Sequence, residues 1–144
     1  MEPLKEINFI VIHHSQREID SPRQIRKRHL ERGWEDIGYH YLIGKKGKLY
    51  RGRSIRFIGA HVLGYNKNSI GICLIGDLDK SIPTRKQLKS LIKFLGKISK
   101  KYKIPIENIL GHREFPNVTK TCPGNFGKIN KNLILKNYSF LLKK

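Results

Sequence analysis

Six histidines and a cysteine beside a proline-glycine turn are the residues of this chain whose types could assemble a metal centre. His13 follows the β-branched run Ile7-Asn-Phe-Ile-Val-Ile12, His112 follows Ile109-Leu-Gly111, and Cys122 opens the turn Cys-Pro-Gly124. Catalytic zinc sites hold the ion with three protein ligands of the His, Cys or carboxylate type and leave the fourth place to water. These three candidates stand far apart in sequence, so only folding can bring them together.

The elements that would have to position them are short. Ile7–Ile12 reads as a buried strand presenting histidines at its end. Ser21-Pro22 supplies a helix cap and a first-turn proline, and Ile25, His29 and Leu30 recur at helical spacing until Gly33. Tyr39–Ile43 and Lys48–Arg51 flank Gly44-Lys-Lys-Gly47, a hairpin signal. Ile70–Ile75 predicts a further buried strand, with Cys73 as an inert core thiol. Thr84 with Gln87 forms a capping-box pattern, and Leu88, Leu91, Ile92, Leu95 and Ile98 mark the core stripe of a helix to about Tyr102. From Lys128 the spacing of Ile129, Leu133, Ile134, Tyr138 and Leu141 predicts a C-terminal helix. Strands alternating with helices give a single α/β domain around a sheet over 1–144, of which 125–144 is a basic C-terminal tail.

Thirty Lys and Arg against 11 Asp and Glu give a formal net charge of +19, a field that attracts polyanions of any kind. No DNA-reading motif or closed four-ligand zinc spacing accompanies that charge, so no specific nucleic-acid partner is expected. An anionic cell envelope is the expected partner for the basic face. Two cysteines cannot build a disulfide framework. The sequence shows neither a transmembrane stretch nor a signal-peptide pattern at Met-Glu-Pro-Leu-Lys-Glu, which predicts synthesis in the cytoplasm and action on the cell wall only after release.

Six motifs occur in order: Ile10-Val-Ile-His-His-Ser15, Gly38-Tyr-His-Tyr-Leu-Ile43, Gly59-Ala-His61, Gly64-Tyr-Asn-Lys-Asn-Ser-Ile-Gly-Ile72, Gly111-His-Arg-Glu114 and Lys120-Thr-Cys-Pro-Gly124. Together they resemble the type-2 N-acetylmuramoyl-L-alanine amidase family, which spans phage-type zinc amidase lysozymes and peptidoglycan recognition proteins. The resemblance runs from about residue 7 to 124. It implies a mixed central β-sheet flanked by helices, with zinc in a surface groove held by His13, His112 and Cys122. It further implies hydrolysis of the amide between N-acetylmuramic acid and L-alanine in peptidoglycan. The expected protein is a phage or prophage endolysin or another bacteriolytic enzyme, acting as a monomer.

By the same resemblance Tyr39 and Lys120 are the catalytic candidates, for orienting the intermediate and stabilising its oxyanion; which one handles the proton stays open. Trp34, Arg53, His61, Tyr65 and Asn66 fall where the family places groove walls, and His61 serves equally as a support for the ligands. His14, pointing to the opposite strand face from His13, is expected to support the core, as is His40; His29 is expected at the surface of its basic helix. The chain departs from the family at Ser54-Ile55, where recognition proteins often carry Gly-Trp, so the choice between diaminopimelate and lysine stems stays open. The alternative function is a non-catalytic recognition or regulatory protein of the same fold. Cys122 stands against it, because the recognition-only members commonly carry serine there, and serine supplies no thiolate.

Overall fold

The computed structural model describes residues 1–116 and 118–125; the helix expected from Lys128 lies outside them. Strands β1 (Phe9–His14), β2 (Tyr41–Ile43), β3 (Leu49–Arg51), β4 (Ser69–Leu74) and β5 (Ile109–Gly111) form one sheet in the order β3-β2-β4-β1-β5. β1 pairs in parallel with β4 and β5, β4 with β2 also in parallel, and only the β2-β3 hairpin is antiparallel. Helices α1 (Pro22–Glu31) and α2 (Arg85–Tyr102) complete the α/β domain. β1 begins two residues later than the apolar run and continues through both histidines, because ladder partners extend to His13↔Cys73 and His14↔Leu74.

Alternation along the strands divides the molecule into two faces. Ile10, Ile12, Ile70, Ile72 and Leu74 pack with Leu91, Leu95 and Ile98 of α2 in the larger core. Cys73 and Leu42 face the other way, toward Ile25 of α1. Val11 shares that second face with Val62 and Phe115. His13, next along β1 on the same side as Val11, therefore leaves the sheet away from α2.

Both expected helix starts are present. The Ser21 and Thr84 side chains accept from the backbone N–H groups of Gln24 and Gln87, and Pro22 opens α1. Two details differ from the sequence pattern. Leu30 is 41% exposed, since α1 turns it off the stripe that Ile25 and His29 bury. Gln87 does not return to its cap: its buried Nε2 donates to the Ile43 and Ile75 carbonyls at 2.9 and 3.0 Å, tying α2 to the ends of the sheet. An acceptor left unpaired in the interior costs about 1–3 kcal/mol. Gln87→Ala is therefore expected to lower the unfolding free energy by about that amount in urea titrations without removing the Thr84 cap.

Candidate metal centre

The register sets Ile12 beside Gly111 in a parallel pair, so the next residues, His13 and His112, emerge together at the carboxyl ends of β1 and β5. That is the end at which parallel sheets present their sites. Cys122 arrives on the following loop. The Arg113 N–H donates to the Cys122 carbonyl at 2.7 Å, while Asp79 accepts from the Thr121 hydroxyl at 2.7 Å and the Asn125 N–H at 2.9 Å. Gly124 has φ +93° and lies so close to the Leu78 backbone that a Cβ would sit 2.5 Å from its carbonyl carbon, which explains the glycine of the Cys-Pro-Gly turn.

One ligand atom from each of His13, His112 and Cys122 lies within 4.8 Å of the others. His13 Nδ1 and Cys122 Sγ are 3.6 Å apart. Zinc bonds of about 2.0 Å to nitrogen and 2.3 Å to sulfur at a tetrahedral angle require roughly 3.5–3.6 Å between such atoms. The donor set, two imidazoles and a thiol, also suits that ion. His13, His112 and Cys122 all line the groove, so a zinc ion held by them would leave its fourth position to water, as catalytic zinc sites do.

A line of hydrogen bonds orients His13. The Ser69 hydroxyl donates to the Tyr65 carbonyl at 2.7 Å, so its oxygen is left to accept from His61 Nε2 at 3.3 Å. His61 Nδ1 then carries the lone pair and accepts from His13 Nε2 at 2.9 Å. His13 Nδ1 is thereby free of hydrogen and faces the Cys122 sulfur. Space for the His61 ring comes from Gly71 on β4, where a Cβ would meet it at 2.6 Å. Asn66 Oδ1 fixes the backbone by accepting from the His61 and Val62 N–H groups, both at 2.9 Å.

Electrostatics favour neutral ligands. Burial pulls the His13 pKa well down, helped by the neighbouring His61, His112 and His14; burial does the same to His61. His112 is lowered by burial and then by the positive charge of Lys120. Burial pushes the Cys122 thiol up to about 12, against the opposing pull of the His14 N–H and Lys120. Loading a metal must therefore displace the thiol proton. Lys120 is exposed on the groove, and its charge reaches both His112 and Cys122. The Tyr39 ring lies 5.1 Å from that of His13, and burial raises its phenol well above the usual value.

The remaining expectations divide. Trp34, His61 and Asn66 line the groove, and Trp34, Ala60 and Asn66 also line an adjoining trough, so the two run together. Arg53 borders only that trough and donates to the Ile37, Ile58 and Asp36 carbonyls, which makes it a brace for the wall. Tyr65 turns away: its ring packs on Phe9 and Phe115, and the residues lining the groove do not include it. Ile55 packs against the α2-side core. His14 and His40 support the interior as expected, accepting from the Leu78 and Gly71 N–H groups. His29 is only 6% exposed, contrary to the expected surface position; its Nδ1 accepts from the Gly38 N–H, and its ring meets Trp34 and Tyr39. Ser69 and Asp79 were not legible as site residues, since a lone serine and a lone aspartate carry no spacing signal.

A family model described as N-acetylmuramoyl-L-alanine amidase matches residues 3–125. The chain belongs to this amidase family. Peptidoglycan-recognition protein LB of Drosophila melanogaster is 40% identical over 129 residues, covering 81% of this chain and 54% of the relative. The endolysin of Escherichia phage T7 is 38% identical over 106 residues, covering 70% of this chain and 68% of the endolysin. Among solved structures, the N-acetylmuramoyl-L-alanine amidase LysC from Clostridium intestinale URNW superposes with TM-score 0.79 at 34% identity, covering 89% of this chain and 85% of that one. The proteins similar to this chain thus include ones named endolysin, amidase and peptidoglycan-recognition protein.

Two outcomes follow from the hydrogen bonds. Replacing a residue that orients a metal ligand typically costs 10–100-fold in affinity. His61→Leu and Gly71→Ala are each expected to weaken zinc binding by about that factor in competition with a chromophoric chelator, whereas His61→Asn, which keeps an acceptor near Nδ1, recovers most of it. The His29 pKa is lowered to about 4, first by burial and then by Arg32 and Arg28. Its neutral form stabilises the fold fully above the unfolded value near 6.5, and that stabilisation is lost as pH falls toward 4. Acid unfolding of the wild type should steepen across this window, and His29→Gln should flatten it.

Proposed function

We propose that the chain is a zinc-dependent N-acetylmuramoyl-L-alanine amidase that cuts the bond between the lactyl group of N-acetylmuramic acid and L-alanine in peptidoglycan, in the manner of an endolysin. The observation that carries this reading is that His13, His112 and Cys122 bring three metal-ligand atoms within 4.8 Å of one another and line the groove. The half-buried Cys122 thiol, held 3.6 Å from an oriented imidazole, favours a metal-loaded hydrolase over a binding-only protein. The relatives named endolysin and amidase supply the substrate class.

His13, His112 and Cys122 would hold the ion. Zinc in such a site supplies a nucleophilic water with its pKa brought to about 7 and polarises the scissile carbonyl. Lys120 is exposed on the groove beside two of the ligands, where its ammonium stabilises negative charge developing on the carbonyl oxygen. Tyr39, with its phenol held protonated, donates a hydrogen bond to the same region and orients the reacting group. The trough continuing past Trp34, Ala60 and Asn66 accommodates the rest of a glycopeptide. Among the described residues no helix is long and apolar enough to cross a membrane. The likeness to an endolysin supports action on the wall after release.

Isolated peptidoglycan incubated with the protein is expected to yield new free N-terminal alanine, with activity abolished by a chelator, restored by zinc and absent in Cys122→Ser. Lys120→Met and Tyr39→Phe should each lower kcat by about 10²–10³ while leaving zinc affinity near wild type. A zinc-loaded, folded protein that binds peptidoglycan without releasing alanine would replace this reading with the recognition function.

A further inference from the structure

The charge of the chain is unevenly distributed. From Lys80 to Ile106 there are nine Lys and Arg and not one Asp or Glu. Most of these cations are on α2, where Arg85, Lys89, Lys93, Lys97 and Lys101 recur every fourth residue and all are exposed. Each step of four advances a helix by about 6 Å and drifts about 40° around its axis. The row therefore sweeps over almost half the circumference, and exposed Lys86 and Lys100 fall within the same arc. The opposite arc, with Leu91, Leu95 and Ile98, is buried on the sheet. Successive positions in the row are about 6 Å apart along the axis, so neighbouring charges stand at a separation comparable to the Debye length of about 8 Å at physiological salt and their fields overlap. Among the described residues no ion pair joins any of them to an acid; the four salt bridges present involve Met1, Arg26, Arg28 and Lys45.

We infer that the outer face of α2 is a docking surface for an anionic phospholipid bilayer. A convex half-cylinder of cations fits a planar array of phosphate headgroups. It offers no cleft for a single polymer thread, and the exposed arc carries no large apolar residue that would insert among acyl chains. The second argument is orientation. α2 covers one face of the sheet, while His13 and the groove open from the other. A molecule lying on a bilayer through α2 presents its groove away from the lipid, toward the wall. The use of that orientation rests on the amidase reading, but the docking itself does not.

An anionic surface contributes roughly fivefold in partition coefficient for each lysine close to it. The test uses the full chain and vesicles of equal parts phosphatidylglycerol and phosphatidylcholine, read by cosedimentation at low and high salt. A combined Lys89→Gln, Lys93→Gln, Lys97→Gln and Lys101→Gln variant is compared with an equal-charge control, Lys5→Gln, Arg23→Gln, Lys27→Gln and Lys46→Gln. Glutamine keeps helix propensity, and circular dichroism checks that both variants fold. Wild type is expected to bind these vesicles in a salt-sensitive way and to ignore pure phosphatidylcholine. The α2 variant should bind at least about thirtyfold more weakly, while the control stays within about threefold. Vesicle-bound wild type should still cleave soluble muropeptides as fast as free protein. Equal losses in the two variants would overturn the proposal in favour of net charge alone. Absence of vesicle binding would overturn it as well, as would a loss confined to binding of polymer-bearing walls. If vesicle binding behaves as expected but no preparation releases alanine, the amidase reading fails and the docking surface stands.

Discussion

The buried ring of His13 has two nitrogens, and the division of partners between them governs the site. Nε2 gives its hydrogen to His61, so Nδ1 meets the Cys122 sulfur as a lone pair. If His61 offered a hydrogen instead, the tautomer would invert and the nitrogen facing the thiol would be blocked. The Ser69 hydroxyl prevents this by spending its own hydrogen on the Tyr65 carbonyl. Glycines at 59 and 71 leave room where any Cβ would strike the His61 ring, so the backbone of two neighbouring segments is shaped around this arrangement.

All six histidines have pKa values below their ordinary range, with burial the largest cause in each. In a chain of net charge +19 this matters, because protonated imidazoles beside Lys120, Arg28 and Arg32 would add repulsion to the cost of desolvation. Neutral imidazoles can instead accept backbone N–H groups, as His14, His29 and His40 do, or present lone pairs to a metal. The fold thus uses the same residue type both as internal scaffolding and as the candidate ligand set.

The sheet separates two kinds of surface. On the groove side, acids offset the bases: Asp20 pairs with Arg28 across the groove-lining helix, and Asp79 ties down the Cys122 loop. Along α2 itself there is no acid, and the apolar stripe and the cationic arc are two halves of one cylinder. Amphipathicity that secures the helix on the core therefore also gathers its lysines on one outward surface.

How much could be read without coordinates depended on whether a feature was local. The buried strands, both helix caps, the core stripe of α2 and the Gly44–Gly47 hairpin follow from periodicity and turn chemistry within a few residues. The ordered motifs pointed to His13, His112 and Cys122, and the fold brings those three together. What needed tertiary structure were roles set by partners distant in sequence. Gln87 is a strut to Ile43 and Ile75, Tyr65 belongs to an aromatic cluster with Phe9 and Phe115, and His29 is buried under Trp34. The relay through Ser69 and His61 was invisible for the same physical reason. A hydrogen bond depends on separation and direction in space, and a one-dimensional pattern records neither.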